Sequence, residues 1–307
     1  MPVPLYLLTG PTAAGKSALA LAWARAHGAE ILSCDAIQIY RGMDIGTAKP
    51  TAADRALVPH HGLDLCDPAR AYSVAEYRDY AARTVQEIHA RGKTVLVVGG
   101  SGFYLKSFFA PVADDVDISP AIEAEVQALE KSGGLPALVA RLRAASPAGT
   151  GAVDLQNPRR VARALARCLA SGHSVPALAV KFSRSGTPFD SFEKKIARLD
   201  RPVPELTARI HARTQQMLAG GLIDEVRKLA PVLRANPAAG SAIGYREVLA
   251  WLDAGENTSR AELEKSIAQR TLQLVKKQHT WFRTQLPPHK IIDLQEISSL
   301  DARTLFS

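Results

Sequence analysis

The stretch that most constrains this chain is Gly10-Pro11-Thr12-Ala13-Ala14-Gly15-Lys16-Ser17, which fills every fixed position of the phosphate-loop pattern G-x-x-x-x-G-K-[ST]. Glycines let such a backbone curl so that its N–H groups converge, and the following helix points the positive end of its dipole at the same spot. Gly10, Thr12, Ala13, Ala14, Gly15, Lys16 and Ser17 are therefore the candidate anion-binding set. Lys16 adds a mobile positive charge, and the Ser17 hydroxyl is a candidate ligand for Mg²⁺. Apolar residues 3–8 predict a short buried strand before the loop, and the Ala/Leu-rich residues 17–26 predict a helix after it. The loop alone leaves open which phosphorylated molecule it holds.

A chain of 307 residues with 47% hydrophobic content can build one large domain, or one domain carrying a smaller insertion. No apolar run approaches the roughly 20 residues that span a bilayer, and no signal peptide opens the chain, so a cytoplasmic protein off the membrane is expected. Cys34, Cys66 and Cys168 are odd in number and lack C-x-x-C spacing, which argues against a disulfide framework and a zinc site. The 38 Lys+Arg against 30 Asp+Glu leave a net charge of +8, suited to a polyanionic partner such as nucleic acid.

Residues 30–34 predict a second strand leading into Asp35. Ligands of open parallel sheets sit at the carboxyl ends of the strands, so Asp35 is expected to face the phosphate loop. Residues 37–49, with Gly42 and Gly46, predict an irregular loop. Ser73 and Glu76 form a capping-box signature for a helix stopping at Gly92. The apolar run 94–98 predicts a buried strand ending in Gly99-Gly100-Ser101-Gly102, a turn that brings the Ser101 hydroxyl to the edge shared by Asp35 and Lys16.

After Pro111 the composition shifts: Asp114, Asp115 and Asp117 precede a helical run without a strand pattern. Residues 111–184 are expected to form an inserted all-helical subdomain, within a catalytic core of residues 1–110 and 185–307. Ser119-Pro120 and Asn157-Pro158 are helix-start signatures, Gly133-Gly134 and Gly172 mark helix ends, and residues 181–188 suggest a polar return linker. Beyond it come a strand at 194–199, helices at 203–218, 222–229, 244–252 and 260–285, and a last strand at 291–292. The expected fold class is α/β: a kinase-like parallel sheet flanked by helices, with a helical insertion.

A phosphate loop usually serves nucleoside triphosphate chemistry, with a carboxylate after an apolar strand to hold the metal's water shell. Here that strand ends in Gly99, and no Asn-Lys-x-Asp base-recognition motif is present. Two enzymatic readings stay open. In a small-molecule or nucleotide kinase, Asp35 activates an acceptor hydroxyl; in the other, diphosphate is the leaving group and Asp35 takes the proton of an attacking amine. A turn cap is the bland role for Asp35, and a nucleotide-gated RNA-binding module without chemistry is the rival from another class. In the insertion, Arg159, Arg163 and Arg167 recur at i, i+4 beside Arg160 with no acidic residue between them, a stripe that favours nucleic-acid phosphates over a solvated face. Residues 270–283 form a second basic and aromatic cluster whose Trp281 and Phe282 suit core packing.

Five segments together resemble the bacterial tRNA dimethylallyltransferase family, in order along nearly the whole chain: residues 10–17, 33–50, Val98-Gly99-Gly100-Ser101, Ile243-Gly244-Tyr245-Arg246-Glu247, and Lys276-Lys277-Gln278-His279-Thr280-Trp281-Phe282-Arg283. Residues 35–50 are the most specific part, and 157–165 agree, as do Asp200, Arg201, Arg209, Arg213, Met217, Gly221 and Glu225. The resemblance implies transfer of a dimethylallyl group from dimethylallyl diphosphate to the exocyclic amine of the adenosine just 3′ of the anticodon, with Mg²⁺ and without ATP. It implies that Asp35 is the base, that the Ser101 hydroxyl lies near the diphosphate and the amine, and that Lys16 and its loop hold the diphosphate with Arg209 or Arg213. The adenosine would be flipped into a channel. Asp35, Ala36, Ile37, Gln38 and Ser101 would meet it, Arg159, Arg160 and Arg163 would grip the tRNA anticodon stem-loop, and Ser241, Ala242, Ile243, Gly244, Tyr245 and Arg246 would add contacts from the core of a monomeric enzyme. The chain departs from the family pattern at Ala36 (commonly Ser), at Ser101 (commonly Thr), at Leu272 (commonly Arg) and near 119–123, where an arginine is missing.

Overall fold

The computed structural model describes residues 2–112, 116–294 and 304–306; Asp114 and Asp115 lie outside them. The chain runs β1 (Pro4–Thr9), α1 (Lys16–His27), β2 (Ala29–Cys34), α2 (Ala52–Leu57), β3 (His60–His61), α3 (Val74–Ala90), β4 (Thr94–Gly99) and α4 (Gly102–Lys106). It continues through α5 (Pro120–Ala145), α6 (Pro158–Ser171) and α7 (Val175–Ser183) into β5 (Glu193–Asp200), α8 (Val203–Ala219), α9 (Leu222–Ala235), α10 (Pro237–Gly240), α11 (Tyr245–Asp253), α12 (Arg260–Gln285) and β6 (Lys290–Asp293). Two compact units result, one of Met1–Ala110 with Thr187–Ser307, the other of Pro111–Gly186.

The first unit holds a parallel sheet in the order β3-β2-β4-β1-β5-β6. Its central strands alternate between two apolar layers. Leu5 and Leu7 of β1, with Val95 and Val97 of β4, pack into the layer of Tyr77 and Phe108. Leu8 and Leu96 pack into the opposite layer with Trp23, Leu206 and Ile292. Burial on both faces is why these strands have nearly continuous apolar runs. From β1 the chain crosses to β2 on one side, and from β4 it crosses to β5 on the other, so the carboxyl ends of β1 and β4 flank a crevice at the switch point. The phosphate loop follows β1 and the Gly99–Gly102 turn follows β4. Glycine is required at both places: a Cβ on Gly10 (φ +145°) would lie 2.6 Å from the Leu199 carbonyl oxygen, and one on Gly99 would lie 2.0 Å from that of Cys34.

The regular elements among the second unit's described residues are all helices, packed around Val126, Leu138, Leu142, Val161, Leu165 and Leu178. Ser119 and Asn157 cap α5 and α6 through their side chains, and α6 stops at left-handed Gly172. Gly134 (φ 59°, ψ −158°) is non-helical and divides α5 into two helical segments at a kink, as its helix-end signature predicts. One expectation is corrected here. Residues 181–183 belong to α7, which starts at a first-turn proline and buries Leu178, rather than to a linker. Among the described residues no helix is long and apolar enough to cross a membrane.

Candidate active site

The phosphate loop is clamped from four directions. Lys16 folds back so that its ammonium donates to the carbonyls of Gly10 (2.9 Å) and Pro11 (2.8 Å), leaving one of its three donors for a ligand. Arg209 Nε donates to the Ala13 carbonyl at 2.7 Å, and Arg201 Nε to that of Ala14 at 2.9 Å. Both guanidinium groups thereby reach the side of Gly15, where a Cβ would lie 3.6 Å and 3.8 Å from their Nη2 atoms. The Thr12 N–H donates to Gln278 Oε1 at 2.9 Å. These ties hold Ala13 at φ 66°, a left-handed conformation that costs a non-glycine residue about 1 kcal/mol or more. Arg201 also pairs with Glu205.

Two cavities meet at this loop. The smaller, of about 310 Å³, is lined by Lys16, Ser17, Ser33, Asp35, Gln38 and Lys49 among others. The larger, of about 470 Å³, is walled by apolar side chains from α8 and α12, including Ile210, Met217, Ile267, Leu274 and Trp281, with Thr12, Asp35, Ser101 and Arg213 on its polar side. Asp35 lines both. Its Oδ1 accepts the N–H of Ile37 at 2.9 Å and, more weakly, of Gln38 at 3.4 Å, which leaves Oδ2 for a ligand. The Ser101 hydroxyl accepts the Ala36 N–H at 3.0 Å, tying the β4 turn to the β2 turn. Burial lowers the Lys16 pKa from 10.5 to about 8; Arg213 lowers it further, while Asp35 works the other way. Burial likewise lowers the Arg213 pKa against the pull of Asp35, and among the described residues Arg213 has no hydrogen-bond partner. Two cations and one carboxylate thus share the crevice with a surplus of positive charge, the electrostatic setting of an anion site.

The remaining sequence candidates divide by what their side chains do. The Gln38 amide is committed inside the protein: Oε1 accepts from the Ser33 hydroxyl, and Nε2 donates to the carbonyls of Thr47 and Ala48. Tyr245 is fully buried, and its hydroxyl donates to Glu225, whose carboxylate also takes the N–H groups of Asp44, Ile45 and Gly46. Ala242 and Gly244 are buried as well. Ser241, Ala242, Ile243 and Gly244 all line the larger cavity, and exposed Arg246 pairs with Glu247. In the second unit Arg159, Arg160 and Arg163 are exposed on α6, with Arg160 near Asp154 at 3.6 Å. Arg201 and Gln278 were not among the sequence candidates. Both lie in stretches that carry the family resemblance, Arg201 also just past a strand's carboxyl end, but helical periodicity around Gln278 gives its side chain no role.

The described residues contain no cluster of three or more His, Cys, Asp or Glu side chains able to hold a metal by themselves. Ser17, exposed in the smaller cavity, offers one hydroxyl oxygen there, a ligand type that hard cations accept.

By fold and loop this is an α/β phosphate-loop protein. Residues 38–285 match the IPP transferase family. The chain is 53% identical over 290 residues to a tRNA dimethylallyltransferase of Opitutus terrae, covering 94% of this chain and 92% of that one. It is 41% identical over 294 residues to one from Bordetella pertussis, covering 95% and 93%. A solved tRNA isopentenylpyrophosphate transferase of Bacillus halodurans superposes with a TM-score of 0.65 at 32% identity, over 94% of this chain and 89% of that one. A eukaryotic dimethylallyltransferase acting on tRNA shares the fold, with a TM-score of 0.84 at 22% identity, over 98% and 77%. The chain belongs to the IPP transferase family.

Proposed function

We propose that this chain transfers the dimethylallyl group of dimethylallyl diphosphate to the exocyclic amine of the adenosine immediately 3′ of a tRNA anticodon, releasing diphosphate. The observation that carries this reading is the position of Asp35 on the wall of both cavities, between the cationic phosphate side and an apolar space able to take a prenyl chain and a base. The amine nitrogen attacks the first carbon of the dimethylallyl group, the C–O bond breaks, and its electron pair leaves with diphosphate. Adenine's amine is a weak nucleophile because its lone pair is delocalised, so loss of its proton to Asp35 Oδ2 as the bond forms has a clear purpose. Loop N–H groups, Lys16 and Arg213 face the charge that develops on the leaving group. Ser101, whose hydroxyl proton stays available while its oxygen accepts from Ala36, lies beside both. Ser17 would hold Mg²⁺, which when bound neutralises charge on the diphosphate. Gln38 and Tyr245 serve this site by shaping the loop at residues 37–50 rather than by touching RNA with their side chains.

Incubation with labelled dimethylallyl diphosphate and unmodified tRNA should label the tRNA. Label arriving only from γ-labelled ATP would make the protein a kinase, and RNA binding with no transfer would make it a binding module. The α6 arginines are assigned to the anticodon stem-loop of this cytoplasmic substrate. Replacing Arg159 and Arg163 together by alanine should weaken tRNA binding and flatten the slope of log K against log salt by about 1.4 to 1.8. An unchanged slope returns that helix to a solvated face.

A further inference from the structure

Gln278 of α12 is buried, yet its amide serves two loops that follow different strands. Its Oε1 accepts the Thr12 N–H of the phosphate loop at 2.9 Å, and its Nε2 donates to the Gly100 carbonyl, one residue before Ser101, at 3.2 Å. The fit is close: a Cβ on Gly100 would lie 2.8 Å from Nε2. All four residues line the larger cavity. Only a primary amide meets both demands with one planar group; a carboxylate offers no donor, and a thioether of similar length offers neither partner. Packing does not require the amide, since Val275 and Phe282 already bury the same side of the helix.

We propose that Gln278 is a positioning residue that fixes the separation between the phosphate loop and the Ser101 turn. Its two hydrogen bonds turn the Thr12 N–H toward α12, away from the anion, so the curvature of the loop is set from outside before a ligand arrives. The same amide holds Ser101 at a constant distance from the loop, hence its hydroxyl at a constant distance from the diphosphate. This rests on the prenyl-transfer reading for its consequence, but the geometry of the loop can be tested apart from it.

The test compares wild type with Gln278→Met, which keeps the volume, and Gln278→Glu, which keeps the acceptor for Thr12 but turns a second acceptor toward Gly100. Expected for Gln278→Met are a transfer kcat lower by roughly 10- to 100-fold, an affinity for inorganic diphosphate reduced several-fold in calorimetry, and a tRNA Kd within twofold of wild type at a nearly unchanged Tm. Gln278→Glu should lose at least as much, and it keeps the question decidable if the Met variant does not fold. A kcat within threefold of wild type in a folded variant overturns the proposal. So does a lowered Tm with diphosphate affinity unchanged, which would make Gln278 a packing residue. Absence of transfer by wild type would refute the prenyl-transfer reading instead, and the diphosphate affinities would still decide the role of Gln278.

Discussion

Asp35→Ala is expected to lower the rate of prenyl transfer by about 10²- to 10⁴-fold while leaving the tRNA Kd nearly unchanged. The carboxylate takes a proton only as the new C–N bond forms, so its contribution belongs to the transition state and not to binding. Alanine has a second effect that must be separated from the first. Asp35 Oδ1 accepts the Ile37 N–H at 2.9 Å, and removing it leaves that donor unpaired and loosens the start of the loop at residues 37–50. Asp35→Asn resolves this, because its amide oxygen retains the Ile37 bond while the group is no longer a base. Single-turnover rates should be equally slow for both variants, with tRNA affinity better preserved in the asparagine variant. If asparagine restored the rate, or if rate and affinity fell together, Asp35 would be a positioning residue.

The parts of this site that sequence made legible are those carried by short contiguous patterns. The phosphate loop, the strand leading into Asp35 and the glycine turn before Ser101 each combine a short, nearly continuous apolar run with special turn residues, and their meeting follows from the rule for parallel sheets. The cationic face of α6 was equally plain, because its spacing and its Asn157-Pro158 start are local. The walls of the larger cavity were not. Ile210, Met217, Ile267 and Leu274 look like ordinary apolar helix positions, and nothing in a 3.6-residue period says which of them border a void rather than the core. The clamps on the loop share this property. Arg201, Arg209 and Gln278 reach Ala14, Ala13 and Thr12 from 187, 196 and 266 residues away, so their partners are fixed by the pairing of β5 with β1 and by the packing of α8 and α12. The two-residue strand β3 escaped for another reason: His60-His61 is too short and too polar to carry a strand signal, and pairs only because β2 offers it an edge.

Lys16→Met is expected to abolish measurable transfer, and its pH behaviour identifies the cause. Burial holds the Lys16 pKa near 8 in the ligand-free protein, with Arg213 contributing in the same direction and Asp35 opposing. A bound diphosphate favours the ammonium, so above pH 8 binding must be accompanied by uptake of a proton. The affinity of wild type for dimethylallyl diphosphate should therefore be flat below about pH 8 and fall as pH rises through and beyond it, approaching tenfold per unit. The ligand is not the source of this dependence, since a phosphate of this kind loses its last proton near pH 6. In Lys16→Met the affinity should be lower throughout and level across the same range. Calorimetry between about pH 7 and pH 10 checks both curves, and repeating it in buffers of different ionisation enthalpy reports the proton directly. A wild-type affinity that stayed level to pH 10 would mean the ammonium works only to brace the Gly10 and Pro11 carbonyls, and the anion is held by the loop N–H groups and the arginines alone.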